Sequence, residues 1–331
     1  MTTGGPGARG AADPPLDLLF AGAVFCDLVF AGVPMPEPGA EVYARAFRMT
    51  PGGVANRAVA AARLGARTAL LSQLGDDPLG RHTVAVLAEE PDLDLRWLRT
   101  RAGFQSPVTV SLTGESEREF ITYQEPAEPL DWPVDAPAVG ATHVSMQREL
   151  PGWVQRLRSE GTVVYGGVGW DSTGCWPPSV LERLSQIDVF VPNDLEAMRY
   201  TRTDTAERAA RELGRHVPLA IVTCGERGVV AYDRSGDRLL RVPAVPVAAL
   251  DPTGAGDVFV ASYMASGGFG WPLEERLQLA GLAASLSVRT LGGAVSAPRP
   301  CDIGAFLAAK RPPGDWSTIA SWAAAYAHKA G

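Results

Sequence analysis

The chain has 331 residues, 46% of them hydrophobic and 20% charged, enough apolar material for one large globular domain or two smaller ones. A formal charge of −7 and the lack of any dense Lys/Arg run argue against a nucleic-acid or anionic-membrane partner, which needs a basic surface. Cys26, Cys175, Cys224 and Cys301 are scattered without C-x-x-C spacing, so neither a disulfide framework nor a zinc site is expected, and a cytoplasmic setting fits best. Residues 1–15, mostly Gly, Ala, Pro and Asp, read as a disordered tail. The run LDLLFAGAVFCDLVFAGV from Leu16 reads as a buried first strand, because Asp17 and Asp27 interrupt it and no charged segment precedes it as a targeting signal requires.

Next, PGGVANRAVAAARLGARTALLSQLGDD reads as a Gly turn, an Ala-rich helix ending near Gly65 and a strand from Thr68 to Leu74. The apolar runs ATHVSM, TVVYGGV, DVFVPN and LAIVTCG follow, separated by helical or polar sequence, and this alternation predicts a parallel sheet with helices on both faces. Residues 41–49 and 107–124 break the pattern. They alternate as half-exposed antiparallel strands do and predict a small second sheet inserted on the same domain. Two helices fill the last third, and the tail after Lys310 has the pattern of one more amphipathic helix.

The stretch DPTGAGDVF, residues 251–259, places Gly254, Ala255 and Gly256 between two aspartates at the predicted start of a helix. First-turn N–H groups there lack partners, small residues let an anion approach them, and the helix dipole adds positive potential. Asp257 then stands beside the anion as a candidate base for a hydroxyl attacking phosphorus. An ordinary loop-to-helix turn with a dipole-favoured carboxylate explains the same string, so other residues must decide. The chain's two lysines are Lys310 and Lys329, which removes a Walker A loop, a protein-kinase lysine and a Schiff-base lysine from the body of the chain. Phosphate chemistry is left to backbone, arginine and metal.

Residues 251–257 resemble the signature of the ribokinase family, the phosphofructokinase-B (PfkB) type of small-molecule kinase, and GGVANRAVAAARLGARTALLSQLGDDPLG (52–80) resembles its N-terminal signature. GAVFCD, NDLE, VTCGERG and RTLGGAVSAP follow in family order, so the similarity spans roughly residues 16–310. The resemblance implies a three-layer α/β fold with a mostly parallel central sheet and a small β-sheet lid, built from segments near 28–49 and 104–125. It implies Asp257 as catalytic base and Gly254, Ala255 and Gly256 as the anion hole. Asn193 and Glu196 match the N-x-x-E motif that organises Mg²⁺ and its waters around ATP, although NDLEAMRY reads equally as a capped helix start. Thr223, Gly225 and Gly228 match a nucleotide-lining segment. Asp27, Gly52, Gly53, Asn56 and Glu149 match acceptor-binding positions. Asp251, Thr253, Ser287, Thr290, Gly292 and Ser296 match a K⁺ site, for which a helix C-cap and turn is the plain alternative.

Three departures bear on the acceptor. Pro252 replaces the usual Thr, Val54 and Ala55 stand where a lysine often follows the Gly-Gly pair, and YGGVGWDSTGCW replaces the D-x-N-x-R of ketodeoxygluconate and fructose kinases. The expectation is therefore an ATP-dependent kinase for a neutral sugar or sugar-like compound, with a nucleoside kinase as the alternative and a catalytically silent sugar sensor as the other class. A homodimer through the lids is the family-based expectation for assembly.

Overall fold

The structure, a computed structural model, describes residues 14–33, 37–114 and 118–327; most of the expected disordered tail lies outside them. The central sheet opens with β1 (Leu16–Ala21), and the lid follows at once with β2 (Val24–Ala31) and β3 (Ala46–Gly53). After α1 (Val54–Arg63) come β4 (Thr68–Gly75), α2 (Pro78–Leu87), β5 (Leu93–Asp94) and β6 (Leu98–Arg101). The lid is completed by β7 (Val108–Thr113) and β8 (Arg118–Tyr123). The chain then alternates through β9 (Val139–Ser145), α3 (Gly152–Ser159), β10 (Val163–Gly167), α4 (Ser179–Arg183), β11 (Val189–Phe190), α5 (Asp194–Thr201), α6 (Ala206–Leu213) and β12 (Leu219–Thr223). A hairpin of β13 (Val229–Asp233) and β14 (Arg238–Val242) precedes four helices: α7 (Ala255–Ala265), α8 (Leu273–Ser287), α9 (Pro300–Lys310) and α10 (Ser317–Ala327).

The sheet runs β14-β13-β12-β11-β10-β9-β1-β4-β5, with β6 also on β4; pairing is parallel from β12 to β4 and its two partners and antiparallel in the β12–β14 meander. The side chains of β1 feed two cores. Leu18 and Phe20 join α1, α7 and α8 on one face, while Leu16 and Leu19 join the α3–α6 side on the other, giving the expected three layers. α10 closes the tail: its Trp322 packs against Phe269 and Trp271. No helix among the described residues is long and apolar enough to cross a membrane.

Two expectations need correction. The apolar run from Leu16 is two strands, because the chain turns at Gly22 and Ala23 and its second half leaves the core for the lid. The strand expected at 41–49 instead spans Ala46–Gly53, so the Gly-Gly pair ends a strand. The lid order is β3-β2-β7-β8, and β2–β7 is parallel, a pairing with no local hairpin signal.

Candidate active site

α1 and α7 lie side by side, and both begin with small residues. Ala55, Ala58 and Ala61 are completely buried in α1, as is Ala261 in α7, so little side-chain bulk separates the backbones. Their N-termini therefore meet. Gly254 caps α7 at φ 77°, a left-handed conformation suited to glycine, and Asp257 follows in the first turn. Asn56 Nδ2 donates to Asp257 Oδ2 at 3.2 Å, and Arg57 Nη1 lies 2.8 Å from Asp257 Oδ1. A Cβ on Gly256 would meet nothing within 4 Å, so open space reaches the bare backbone there.

This helix start forms one wall of a cleft of about 330 Å³. Thr223 and His143 line it from β12 and β9 of the central sheet, Asn193 and Glu196 from the start of α5, Arg57 from α1, and Phe120 from the lid. Asn193 caps α5 by accepting from Glu196 N–H at 2.8 Å, while Glu196 Oε2 accepts from Asn193 N–H at 3.0 Å. The capping-box reading of this motif is thus present at the cleft wall itself. Burial raises the Glu196 carboxyl above its ordinary value. Thr223 bridges to Asn193 at the end of β12. Gly225 (φ 57°) and Gly228 (φ 92°) form the tight turn into β13, and a Cβ on Gly228 would strike the Val242 carbonyl.

Asp27 is buried in β2, paired in register with Thr50 of β3. Burial, then the charges of Asp257 and Asp251, push its carboxyl up to about 7. Gly52 is required beside it, since any Cβ there would overlap the Asp27 carboxylate. Gly53 turns into α1 at φ 62°, with a Cβ excluded by Ala23 O at 2.5 Å. A raised carboxyl favours the folded chain when protonated: the stability it contributes is complete below about pH 3.8 and is lost as pH rises through 7. Asp27→Asn is expected to stabilise the ligand-free protein at pH 8 by an amount on the order of a few kcal/mol, a gain that shrinks as pH falls below about 7 and vanishes only below about pH 3.8. Denaturant melts of both proteins across this range check it, and parallel curves refute it.

Asp251 is 1% exposed, accepts from Thr253 N–H at 2.9 Å and Gly292 N–H at 3.2 Å, and has no ion pair among the described residues. Ser296 Oγ donates to Gly293 O, and Thr50 Oγ1 donates to Gly292 O, so the 290–296 loop is held against both Asp251 and the lid. Ser287 donates its hydroxyl to Ala284 O, and Thr290 is exposed; their side chains are directed elsewhere. Glu149 is not brought to the cleft. Its carboxylate is 82% exposed and pairs with Arg183, which is itself anchored on Met146 O. The two signatures assign no role to Arg57 or His143, yet both line the cleft. His143 is a buried wall of the cleft whose imidazole is pushed well below its usual value by burial and then by the Arg57 charge.

The arrangement puts a carboxylate, bare helix N–H groups and a cation at one end of a cleft whose lid carries a second carboxylate. Residues 18–300 match the profile described as pfkB family carbohydrate kinase. The chain belongs to that family. This PfkB-family kinase is 27% identical over 305 residues to a ribokinase from Arabidopsis thaliana, covering 86% of the chain and 79% of the relative. A shorter match, 37% over 99 residues, links it to a cytidine kinase from Thermococcus kodakarensis, covering 30% of the chain and 36% of that relative. An E. coli ribokinase-type neighbour solved in complex with ATP and Mg²⁺ superposes at TM-score 0.73 with 19% identity, covering 88% of this chain and 99% of that one. The PfkB assignment makes the chain a small-molecule kinase on the three-layer fold with a lid.

Proposed function

We propose that the protein transfers the γ-phosphoryl group of ATP to a hydroxyl of a neutral sugar or sugar-like compound, with Asp257 as general base. The observation that carries this reading is Asp257 in the first turn of α7, beside the open backbone at Gly256 and in the same electrostatic neighbourhood as buried Asp27. The acceptor oxygen attacks the γ-phosphorus, its proton passes to Asp257, and the bond to the β–γ bridging oxygen breaks with the electron pair leaving on ADP. Gly254, Ala255 and Gly256 face the charge that develops, although Ala255 N–H already makes a 3.3 Å bond to Pro252 O.

Asp27, Asn56 and the Gly52-Gly53 turn hold the acceptor. A carboxylate accepts several hydroxyl donors and repels an anionic ligand. Of the lid aromatics, Phe120 lines the cleft, while Phe47 stacks on Phe30 with ring centroids 4.9 Å apart. The cytidine kinase match keeps a nucleoside acceptor as the second reading. An ADP-release assay over sugars, nucleosides and their phosphates tests the assignment: turnover of a neutral sugar supports it, a preference for nucleosides replaces it with the second reading, and no turnover of any acceptor refutes it.

Glu196, a carboxylate at the cleft wall, and Asn193 fit a Mg²⁺ water shell, and the metal would supply positive charge at the nucleotide phosphates. Asp251, a buried carboxylate without an ion pair among the described residues, fits a monovalent cation held together with backbone carbonyl oxygens from among Thr253, Ser287, Thr290, Gly292 and Ser296. Activity is therefore expected to be higher in K⁺ than in a bulky organic-cation buffer; equal rates remove the cation from the reading. The outer lid face, with Phe47 56% and Ile121 66% exposed, supports a homodimer through the lids, and cytoplasmic ATP is the donor.

A further inference from the structure

We propose that Arg57 is the cleft's cationic contact to the phosphoryl group in transfer, holding Asp257 with one nitrogen and the phosphoryl oxygens with the opposite edge of the same guanidinium. This rests on the kinase reading above and adds to it a residue outside both signature roles. Of the side chains that line the cleft, Glu196 and Asp257 bring negative charge and Arg57 alone brings a fixed positive one. His143, the other basic group of the wall, is kept neutral by burial. Neither lysine of the sequence is at hand: Lys310 ends α9, and Lys329 lies outside the described residues. The triphosphate of ATP adds several negative charges to this space, with Asp27 and Asp251 buried nearby.

The geometry of the guanidinium decides how Arg57 answers that charge. Nη1 is committed to Asp257 Oδ1 at 2.8 Å, whereas Nε is buried with no hydrogen-bond partner. A buried donor left unpaired is costly, and the Nε–Nη2 edge is the fork that matches two oxygens of a phosphoryl group. Asn56, one residue earlier on α1, holds the other Asp257 oxygen, so each carboxylate oxygen keeps a lone pair for the acceptor proton. Arg57 forms and breaks no covalent bond and takes no proton. Its role is charge on the equatorial oxygens while the acceptor–phosphorus bond forms and the bond to the ADP oxygen breaks.

The test is calorimetric affinity for Mg²⁺–ADP, with and without aluminium fluoride as the mimic of the phosphoryl group in flight, in the presence of the acceptor that the ADP-release panel identifies. Wild type, Arg57→Gln and Arg57→Lys are compared. Wild type is expected to bind ADP more tightly with aluminium fluoride; Arg57→Gln loses about 10- to 100-fold of that gain, Arg57→Lys loses part of it, and ADP alone binds all three equally. No gain in wild type, or an undiminished gain in Arg57→Gln, overturns the proposal. An undiminished gain with reduced turnover would mark Arg57 as a group that only orients Asp257. A wild type that binds neither ADP form overturns the kinase reading and Arg57's role with it.

Discussion

Replacing Asp257 with Asn is expected to lower kcat by roughly two to four orders of magnitude while ATP affinity and the fold persist. The amide has the shape of the carboxylate, and its oxygen can still face Arg57 Nη1, so the contacts of α1 with α7 survive in outline. What it lacks is the basicity to take the acceptor proton as the phosphorus is attacked. Steady-state kcat, nucleotide affinity and a thermal melt, measured together, separate lost chemistry from lost structure. Near-normal turnover would show that a different group, or the phosphate itself, takes the proton.

Asp27→Ala carries the second large effect, a fall of roughly 10²- to 10³-fold in kcat/KM for a neutral acceptor, because a buried hydrogen-bonding charge is removed from the face that reads hydroxyls. The phosphorylated counterpart of the same acceptor is expected to be a poor substrate of the wild type and to lose much less in the variant, since Asp27 repels it. The surrounding structure makes this specific: Gly52 leaves no side chain against the Asp27 carboxylate, and Arg48 donates to Leu291 O at 2.7 Å. If the phosphorylated compound is the better substrate, and Asp27→Ala leaves the neutral one untouched, Asp27 is not the acceptor's anchor.

Much of this molecule is legible in its sequence where the signal is local. Alternating apolar runs reveal the parallel sheet, and the helix start of Gly, Ala and Gly followed by Asp is legible because every group involved lies within one turn. The failures are non-local. The run from Leu16 is apolar throughout, and only Gly22 marks the place where β1 gives way to β2. Arg57 reads as a surface charge near a helix start, since its partner Asp257 lies two hundred positions away. Glu149 occupies the matching register, yet its neighbour in space is Arg183, and that pairing draws the carboxylate into solvent.

The two strands that leave the core for the lid do so side by side: Val54 N–H, just past Gly53, donates to Ala23 O at 3.0 Å. Any rotation of the lid about this joint has a short lever arm at Asp27, about 13 Å along β2 at roughly 3.3 Å per residue, and one twice as long at Ala31, where the strand ends. Any such rotation therefore sweeps the outer end of the lid through a wide arc while the Asp27 carboxylate travels little. Under the role proposed for Asp27, recognition sits near the fulcrum and passage is left to the rim, so opening the door need not dismantle the lock.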